Sequence, residues 1–440
     1  MAGKGYVSVP AAMAVGIGGI IGAGIFVLSG TAIALAGAYA ILAFIMVGAV
    51  MLLVALEYGE LTSTMPNAKG ATYSYVYGAF GSELGFVTGI IQFFGWATAI
   101  SAIALGFGTY LSALIGVQFG LGSIAYAIMF IIAVSLINLG GINEATRTES
   151  FLVAIKLLVL LVFIAYAASV AFGPRGLPIA NFSALPSQSG LGPLFAASIA
   201  IIFAYSGFQS VTTFTSKIKG GAVGAARAIL GAVVISMMIY IGVVVALIAI
   251  VPATNYSINA DPLSFALSLS HAPRWLSVLV DLGALVATTT AAVAMTMGAS
   301  RILYQISADG LLPRVLRGYN KRTDSPTNGT FFTAVIAVLM LFSGNIYIIA
   351  SISNFGSLFT YMLASMCIFH FRRTGSSATL RTPLYPYVPA IVIVAVLVFI
   401  ASMPSAALYF DILLILGLIV VYYLLRETEH KKPVRIRFFK

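Results

Sequence analysis

The side chains that ordinarily do chemistry are few in this chain and stand apart from one another. Three histidines, His271, His370 and His430, fall at the ends of apolar stretches or in the carboxyl-terminal tail, and the single cysteine is Cys367. A metal site needs several such ligands at helical or turn spacing, and a nucleophile needs a base within reach. No catalytic or metal-ligating cluster is therefore expected, and no cofactor. One cysteine also excludes an internal disulfide, and Cys367 reads as a small apolar helix residue.

What the chain offers instead is backbone. Gly16-Ile17-Gly18-Gly19-Ile20-Ile21-Gly22-Ala23-Gly24-Ile25-Phe26 places five glycines inside an apolar segment long enough to cross a bilayer. Glycine costs about 1 kcal/mol relative to alanine in a helix interior, and a freed backbone group in lipid costs more unless something satisfies it. A ligand or an ion can be that something. A second stretch, Phe203-Ala204-Tyr205-Ser206-Gly207-Phe208-Gln209-Ser210, again puts a small residue and a glycine at the centre of an apolar segment.

These stretches need a membrane fold to hold them. Of the 440 residues, 60% are hydrophobic and 8% charged, against about 25% charged in soluble proteins. The net charge of +11 would suit nucleic acid, but the basic residues are scattered over short loops and the tail, so the expected partner is the lipid bilayer and no nucleic acid. With about 20 apolar residues per crossing, the chain reads as an all-α polytopic membrane protein with 12 transmembrane helices. They run roughly 8–33, 37–61, 85–115, 123–140, 149–172, 191–214, 226–251, 275–304, 328–343, 346–370, 385–402 and 408–426. Lys4 precedes a retained first helix with no cleavage site. An amino terminus in the cytoplasm puts 20 of the 23 basic residues on that side, leaving Arg175 and Arg274 outside and Lys156 within a span. The positive-inside rule then places both termini in the cytoplasm. The loop motif Pro66–Tyr77 is too polar to span and reads as an interfacial or re-entrant piece with tyrosines at headgroup level.

Interrupted helices at corresponding places in two halves point to an inverted-repeat secondary transporter. At these residues the chain resembles the amino acid-polyamine-organocation transporter superfamily. The resemblance rests on the glycine stretch, on Met65-Pro66-Asn67-Ala68-Lys69-Gly70-Ala71-Thr72-Tyr73 through Phe80-Gly81, and on Phe203 through Phe208. It rests further on Ser300-Arg301-Ile302-Leu303-Tyr304 with Ala308-Asp309-Gly310-Leu311-Leu312-Pro313, and on Arg381-Thr382-Pro383-Leu384-Tyr385-Pro386. It implies a leucine-transporter-type 5+5 inverted repeat with discontinuous helices 1 and 6. The first repeat is then 1–172, the second 173–370, and the two extra helices with the tail 371–440. It also implies an amino acid held between the two breaks, its carboxylate on N–H groups near Ala23, Gly24 and Ile25 and its ammonium on carbonyls near Ile20, Phe203 and Ser206, with Gly22, Ala204 and Gly207 completing the site. Replacing Gly24 with valine is expected to abolish binding and leave a folded protein. The chain departs from the family in reading Thr215-Ser216-Lys217-Ile218-Lys219 after span six and in carrying Gln209 where a glutamate is common.

Several side chains keep two readings. Lys156 either snorkels to the interface or, held from water where its charged form is disfavoured, exchanges a proton; the resemblance implies the coupling role, with Thr289 and Thr290 beside it unless the Thr288-Thr289-Thr290 hydroxyls bond their own helix. Phe203 is a lid over the substrate or plain packing. Gln92, Trp96, Ser353 and Asn354 line the pocket or face a neighbouring helix. Asp281 and Asp411 are the acids read as lying within spans, both near the external ends; Asp281 attracts a cationic substrate or is a solvated helix end. Scarcity of charge at mid-membrane favours a neutral amino acid, moved with a proton across the plasma membrane; a polyamine, an organic cation, a cationic amino acid, an exchanger, and more remotely a passive channel or receptor, are the alternatives.

Overall fold

An apolar chain in lipid must bond its own backbone, and helices do so within one segment. The computed structural model describes residues 7–66, 68, 72–116, 122–140, 146–173, 178–183, 190–323 and 325–428. Lys4, residues 67 and 69–71 of the loop motif, Arg175, His430 and the basic residues from Lys431 onward lie outside them. Among the described residues there is no strand longer than an isolated bridge.

Among the described residues sixteen α-helices follow one another. They are α1 (Val9–Ile20), α2 (Ala23–Ala36), α3 (Ala40–Thr64), α4 (Thr72–Phe80), α5 (Ser82–Ile115), α6 (Ser123–Gly140), α7 (Thr146–Ala171) and α8 (Ile179–Ser183). Then come α9 (Gly192–Tyr205), α10 (Gly221–Ile250), α11 (Pro262–Leu269), α12 (Arg274–Ala308), α13 (Thr327–Met340), α14 (Ile346–Arg373), α15 (Tyr387–Ala401) and α16 (Ser405–Thr428). Among the described residues eight stretches are long and apolar enough to cross a membrane, one of them running through α2 and α3, and α1, α9, α13 and α15 are shorter apolar helices. Helix α5 is the central post: α12, α14, α6 and α4 pack on it, while α10 packs on α3 and α1.

The loop motif continues into α4, where Tyr73 and Tyr75 are buried inside the protein and Tyr77 is half-buried; Tyr75 shares a 3.3 Å hydrogen bond with Thr62 while Thr72 shares one of 2.6 Å with Tyr58. Both hydroxyl partners come from α3, while packing of α4 against α5 and α14 buries the rings.

Candidate functional site

Helix α1 ends in a tight turn. The Gly22 N–H donates to the Ile20 carbonyl at 2.8 Å, and Ile21 between them has φ −77° and ψ 69°, the geometry of an inverse γ-turn. Helix α2 restarts at Ala23 with Gly22 as its N-cap and no side-chain cap. The first amides of a helix have no intrahelical acceptor, and here Ala23, Gly24 and Ile25 are all buried. A buried, uncapped helix start carries the positive end of the helix dipole and suits a carboxylate.

The second break differs in construction. Helix α9 ends at Tyr205; Ser206 is extended, Gly207 takes φ +114°, and the chain continues as a 3-10 helix over Phe208–Lys217. Gln209 holds this bend, accepting from the Gly207 N–H at 2.9 Å and donating to the Tyr361 hydroxyl at 2.7 Å. Tyr361 in turn stacks on Phe208, with ring centroids 6.1 Å apart.

The two breaks touch. A Cβ on Gly24 would lie 2.2 Å from the Ala204 Cα, and one on Gly207 would lie 2.3 Å from the Gly19 carbonyl oxygen. Gly22 faces α12, where a Cβ would meet that of Ala291 at 2.7 Å. Ile20, Gly22, Ala23, Gly24, Ile25, Phe203, Ala204 and Ser206 are all buried, with Gly207 half-buried. Each of these glycine contacts brings backbone to backbone or to a small side chain, so Gly24→Val would disrupt the packing of α2 on α9 as well as any binding. The expectation of an intact fold is corrected accordingly.

Lys156 does not snorkel. It is 1% exposed, and its Nζ donates to the Gly18 carbonyl at 3.4 Å, in the last turn of α1 where a cation meets the negative end of the dipole. The Thr289 hydroxyl donates to the Leu285 carbonyl at 2.7 Å and that of Thr290 to the Val286 carbonyl at 3.0 Å, so both bond their own helix. Asn354 ties α14 to α9 through the Ile199 carbonyl at 2.5 Å. Trp96 lies over Gly298 of α12, and Ser353 offers its carbonyl 3.0 Å from where a Gly95 Cβ would stand. Those three therefore sit on seams between helices. Among the described residues, the buried Oε1 of Gln92 and Oδ1 of Asn354 have no hydrogen-bond partner.

Asp281 departs from the reading of a solvated helix end. Asp281 is 5% exposed and accepts from Ser264 of α11, whose helix packs over this end of α12 and keeps solvent away. Asp411 is 2% exposed. Two further carboxylates lie in α3, which the sequence reading passed over because they stand at its end, where a hydropathy window still averages as apolar. Glu57 is buried and accepts from Ser365 at 2.7 Å. Glu60 pairs with Arg372 through two contacts of 2.8 Å and accepts from the Thr382 N–H at 2.7 Å. That pair ties α3 and α14 to the Arg381–Pro386 motif.

Sequence reasoning also missed Tyr240, fully buried, whose hydroxyl lies within hydrogen-bond reach of both the Ile20 and Ala204 carbonyls, at 2.7 and 2.9 Å. A tyrosine in the interior of an apolar helix instead of at its ends was the available signal, since tyrosines otherwise favour the interfacial belts.

With this geometry in hand, comparison with known proteins becomes specific. The family model for amino acid permeases matches residues 7–421. The chain is 26% identical over 437 residues to a branched-chain amino acid permease of Bacillus subtilis, covering 95% of this chain and 92% of that protein. It is 28% identical over 435 residues to the methylthioribose transporter of the same organism, covering 94% and 92%. Against the vacuolar cationic amino acid transporter 2 of Arabidopsis thaliana it is 28% identical over 378 residues, covering 82% of this chain and 59% of that one. Because the family model spans the chain from before the first break to the last helix, this protein belongs to the amino acid permease family: it is a multi-pass membrane transporter and not an enzyme.

Proposed function

We propose that this carrier moves neutral amino acids together with a proton by alternating access, across the plasma membrane, with both termini in the cytoplasm. The observation that carries the reading is the buried, uncapped start of α2 at Ala23, Gly24 and Ile25, set beside the end carbonyls of α1 and α9. A carboxylate takes the amides and an ammonium group the carbonyls, so a zwitterion is met without charged side chains. An apolar substrate side chain fits the scarcity of charge around the breaks and the similarity to branched-chain permeases. Phe203 would lie over the bound substrate, and Gln92 and Asn354, each with a buried side-chain oxygen lacking a partner among the described residues, would face it.

The paired breaks support a count of twelve spans, with α1–α2 and α9 with its 3-10 continuation as discontinuous spans 1 and 6. They also support a 5+5 repeat divided at 172 and 370, followed by α15 and α16. Lys156 exchanges the coupling proton, its ammonium standing against the end of α1; Thr289 and Thr290 would join it if their hydroxyls turn from their own helix. Similarity to cationic amino acid transporters supports a second substrate class, with Asp281 as the acid toward which a cationic side chain could be drawn.

Uptake of labelled leucine into proteoliposomes under an imposed proton gradient, competed with alanine, leucine, arginine and putrescine, tests this. Concentrative uptake blocked by alanine and leucine is expected; block by arginine or putrescine alone would transfer the assignment to cations. Lys156→Ala should leave exchange and lose proton-driven accumulation, and a sodium requirement would overturn the coupling.

A further inference from the structure

Glu57 is a carboxyl group buried without a cation. It is 0% exposed, stands about two turns before the end of α3, and among the described residues no basic side chain pairs with it. Its Oε2 lies 2.7 Å from the Ser365 hydroxyl of α14, and its Oε1 has no partner among those residues. The titratable groups set toward it are Tyr58 and Glu60 of its own helix, Tyr361 and Cys367 of α14, and Tyr75 of α4 behind Tyr58. Glu60 is already taken by Arg372. None of these groups offsets a negative charge on Glu57, and an ionised carboxylate in such a place is expensive.

Ser365 offers the alternative. Its hydroxyl oxygen also lies 3.2 Å from the Tyr361 carbonyl, and it has one hydrogen to give. Given to Glu57, that hydrogen is the single neutral donor on which a carboxylate rests. Given to Tyr361, it leaves the serine oxygen to accept, and the chain from Glu57 through Ser365 to the Tyr361 carbonyl is complete only when Glu57 carries a proton. The same Tyr361 leads to the second break: its hydroxyl takes the Gln209 amide at 2.7 Å, and its ring and that of Tyr58 enclose Phe208, with centroids 6.1 and 5.7 Å away. Phe208 opens a 3-10 helix of ten residues. Such helices are uncommon beyond about four residues, and a stretch of one within a span often marks a hinge.

We propose that Glu57 holds a proton in this conformation and is a second proton-binding site of the carrier, beside the one assigned to Lys156. The inference rests on the proton coupling proposed above and adds the carboxyl that answers to the second break. When Phe208 leaves the two rings, water reaches Glu57; the proton passes to water, and the Ser365 hydroxyl turns from the Tyr361 carbonyl to the carboxylate left behind. Loading is the reverse.

Two measurements on purified protein in liposomes test this. In the infrared, the carbonyl band of protonated carboxylic acid should be weaker in Glu57→Gln than in wild type; an undiminished band means that Glu57 is ionised and overturns the proposal. With the membrane potential held at zero, each coupled proton raises steady accumulation of leucine about tenfold per unit of imposed pH gradient. Accumulation should therefore rise about a hundredfold per pH unit in wild type and about tenfold in Glu57→Gln. Equal slopes in the two proteins overturn the second site and leave the coupling at Lys156 standing, whereas a wild type whose accumulation ignores the gradient overturns the proton coupling itself. Should Glu57→Gln fail to fold, Ser365→Ala decides: it removes the acceptor and keeps the carboxyl, so a carboxylic acid band should shift in frequency, and a spectrum without that shift overturns the proposal.

Discussion

The break between α1 and α2 is made by packing, and the break after α9 is made by side-chain hydrogen bonds. At the first, neither Gly22 nor Gly24 takes a positive φ; what they provide is closeness, to Ala291 and to Ala204. No side chain caps the restarted helix. At the second, Gly207 needs φ +114°, a conformation that glycine alone adopts cheaply, and the Gln209 amide consumes the freed N–H. The difference assigns the poles of the proposed site. In the proposed site the uncapped amides of the first break suit the anion, whereas at the second the Gly207 N–H is taken and the end carbonyls of α1 and α9 suit the cation. One amide spans the second break: its oxygen accepts from the Gly207 N–H and its nitrogen donates to the Tyr361 hydroxyl.

The comparison is broken most forcefully at the glycines. Gly207→Ala meets two penalties, left-handed backbone strain of about 1–3 kcal/mol and a Cβ 2.3 Å from the Gly19 carbonyl oxygen. Gly24→Ala meets only the second kind, at 2.2 Å from Ala204. Both variants should lose uptake, and Gly207→Ala should show the larger fall in melting temperature and in folded yield on size-exclusion chromatography. The reverse order would mean that closeness, and not backbone conformation, governs both breaks.

A smaller effect is expected at Gln209. Gln209→Met preserves bulk and removes both hydrogen bonds, leaving the Gly207 N–H without its acceptor and Tyr361 without its donor, at a cost of about 1–3 kcal/mol for a buried orphan group. Uptake should slow roughly tenfold while the protein stays folded, since the carbonyls of the second break lose their fixed bearing. Wild-type uptake in Gln209→Met would show that packing alone holds the second break as it holds the first.

Much of this was legible from composition and glycine placement. The sequence-based spans lie within a few residues of the helices, as with 123–140 for α6 and 346–370 for Ile346–Arg373, because lipid demands about 20 apolar residues per crossing and leaves little freedom in where they stop. Glycine clusters marked the breaks for the same reason. Partners distant in the chain were not legible. Tyr240 lies 220 residues from Ile20 and Lys156 lies 138 from Gly18, and nothing local distinguishes a lysine that snorkels from one that caps a helix. Glu57 and Glu60 were hidden by position, since carboxylates near a span end look solvated until Ser365 and Arg372 are brought against them by α14.

The smallest expected effect asks whether the first break depends on the far end of its packing partner. Helix α12 carries Ala291 against Gly22, and just past its end Asp309 accepts from Tyr73 at 2.7 Å and from Gln305 at 3.1 Å, joining α12 to α4. Burial raises the Asp309 carboxyl above its ordinary value of 3.8, partly offset by the hydrogen bond from Tyr73. A raised value means that the folded protein binds more protons than the unfolded chain between 3.8 and the shifted value, so the contribution of Asp309 to stability is greatest below that window and is lost as pH rises through it. In Asp309→Asn this dependence should vanish. Melting temperatures measured across that window in detergent should therefore show wild type gaining on Asp309→Asn as pH falls, by no more than about 1 kcal/mol for one partly buried group. If the first break relies on α12 being held, uptake by Asp309→Asn should weaken modestly, while a Gln209→Met background should leave that increment unchanged, since distant sites without shared partners add. A non-additive pair would mean that the two breaks are coupled through α12 and are not held independently.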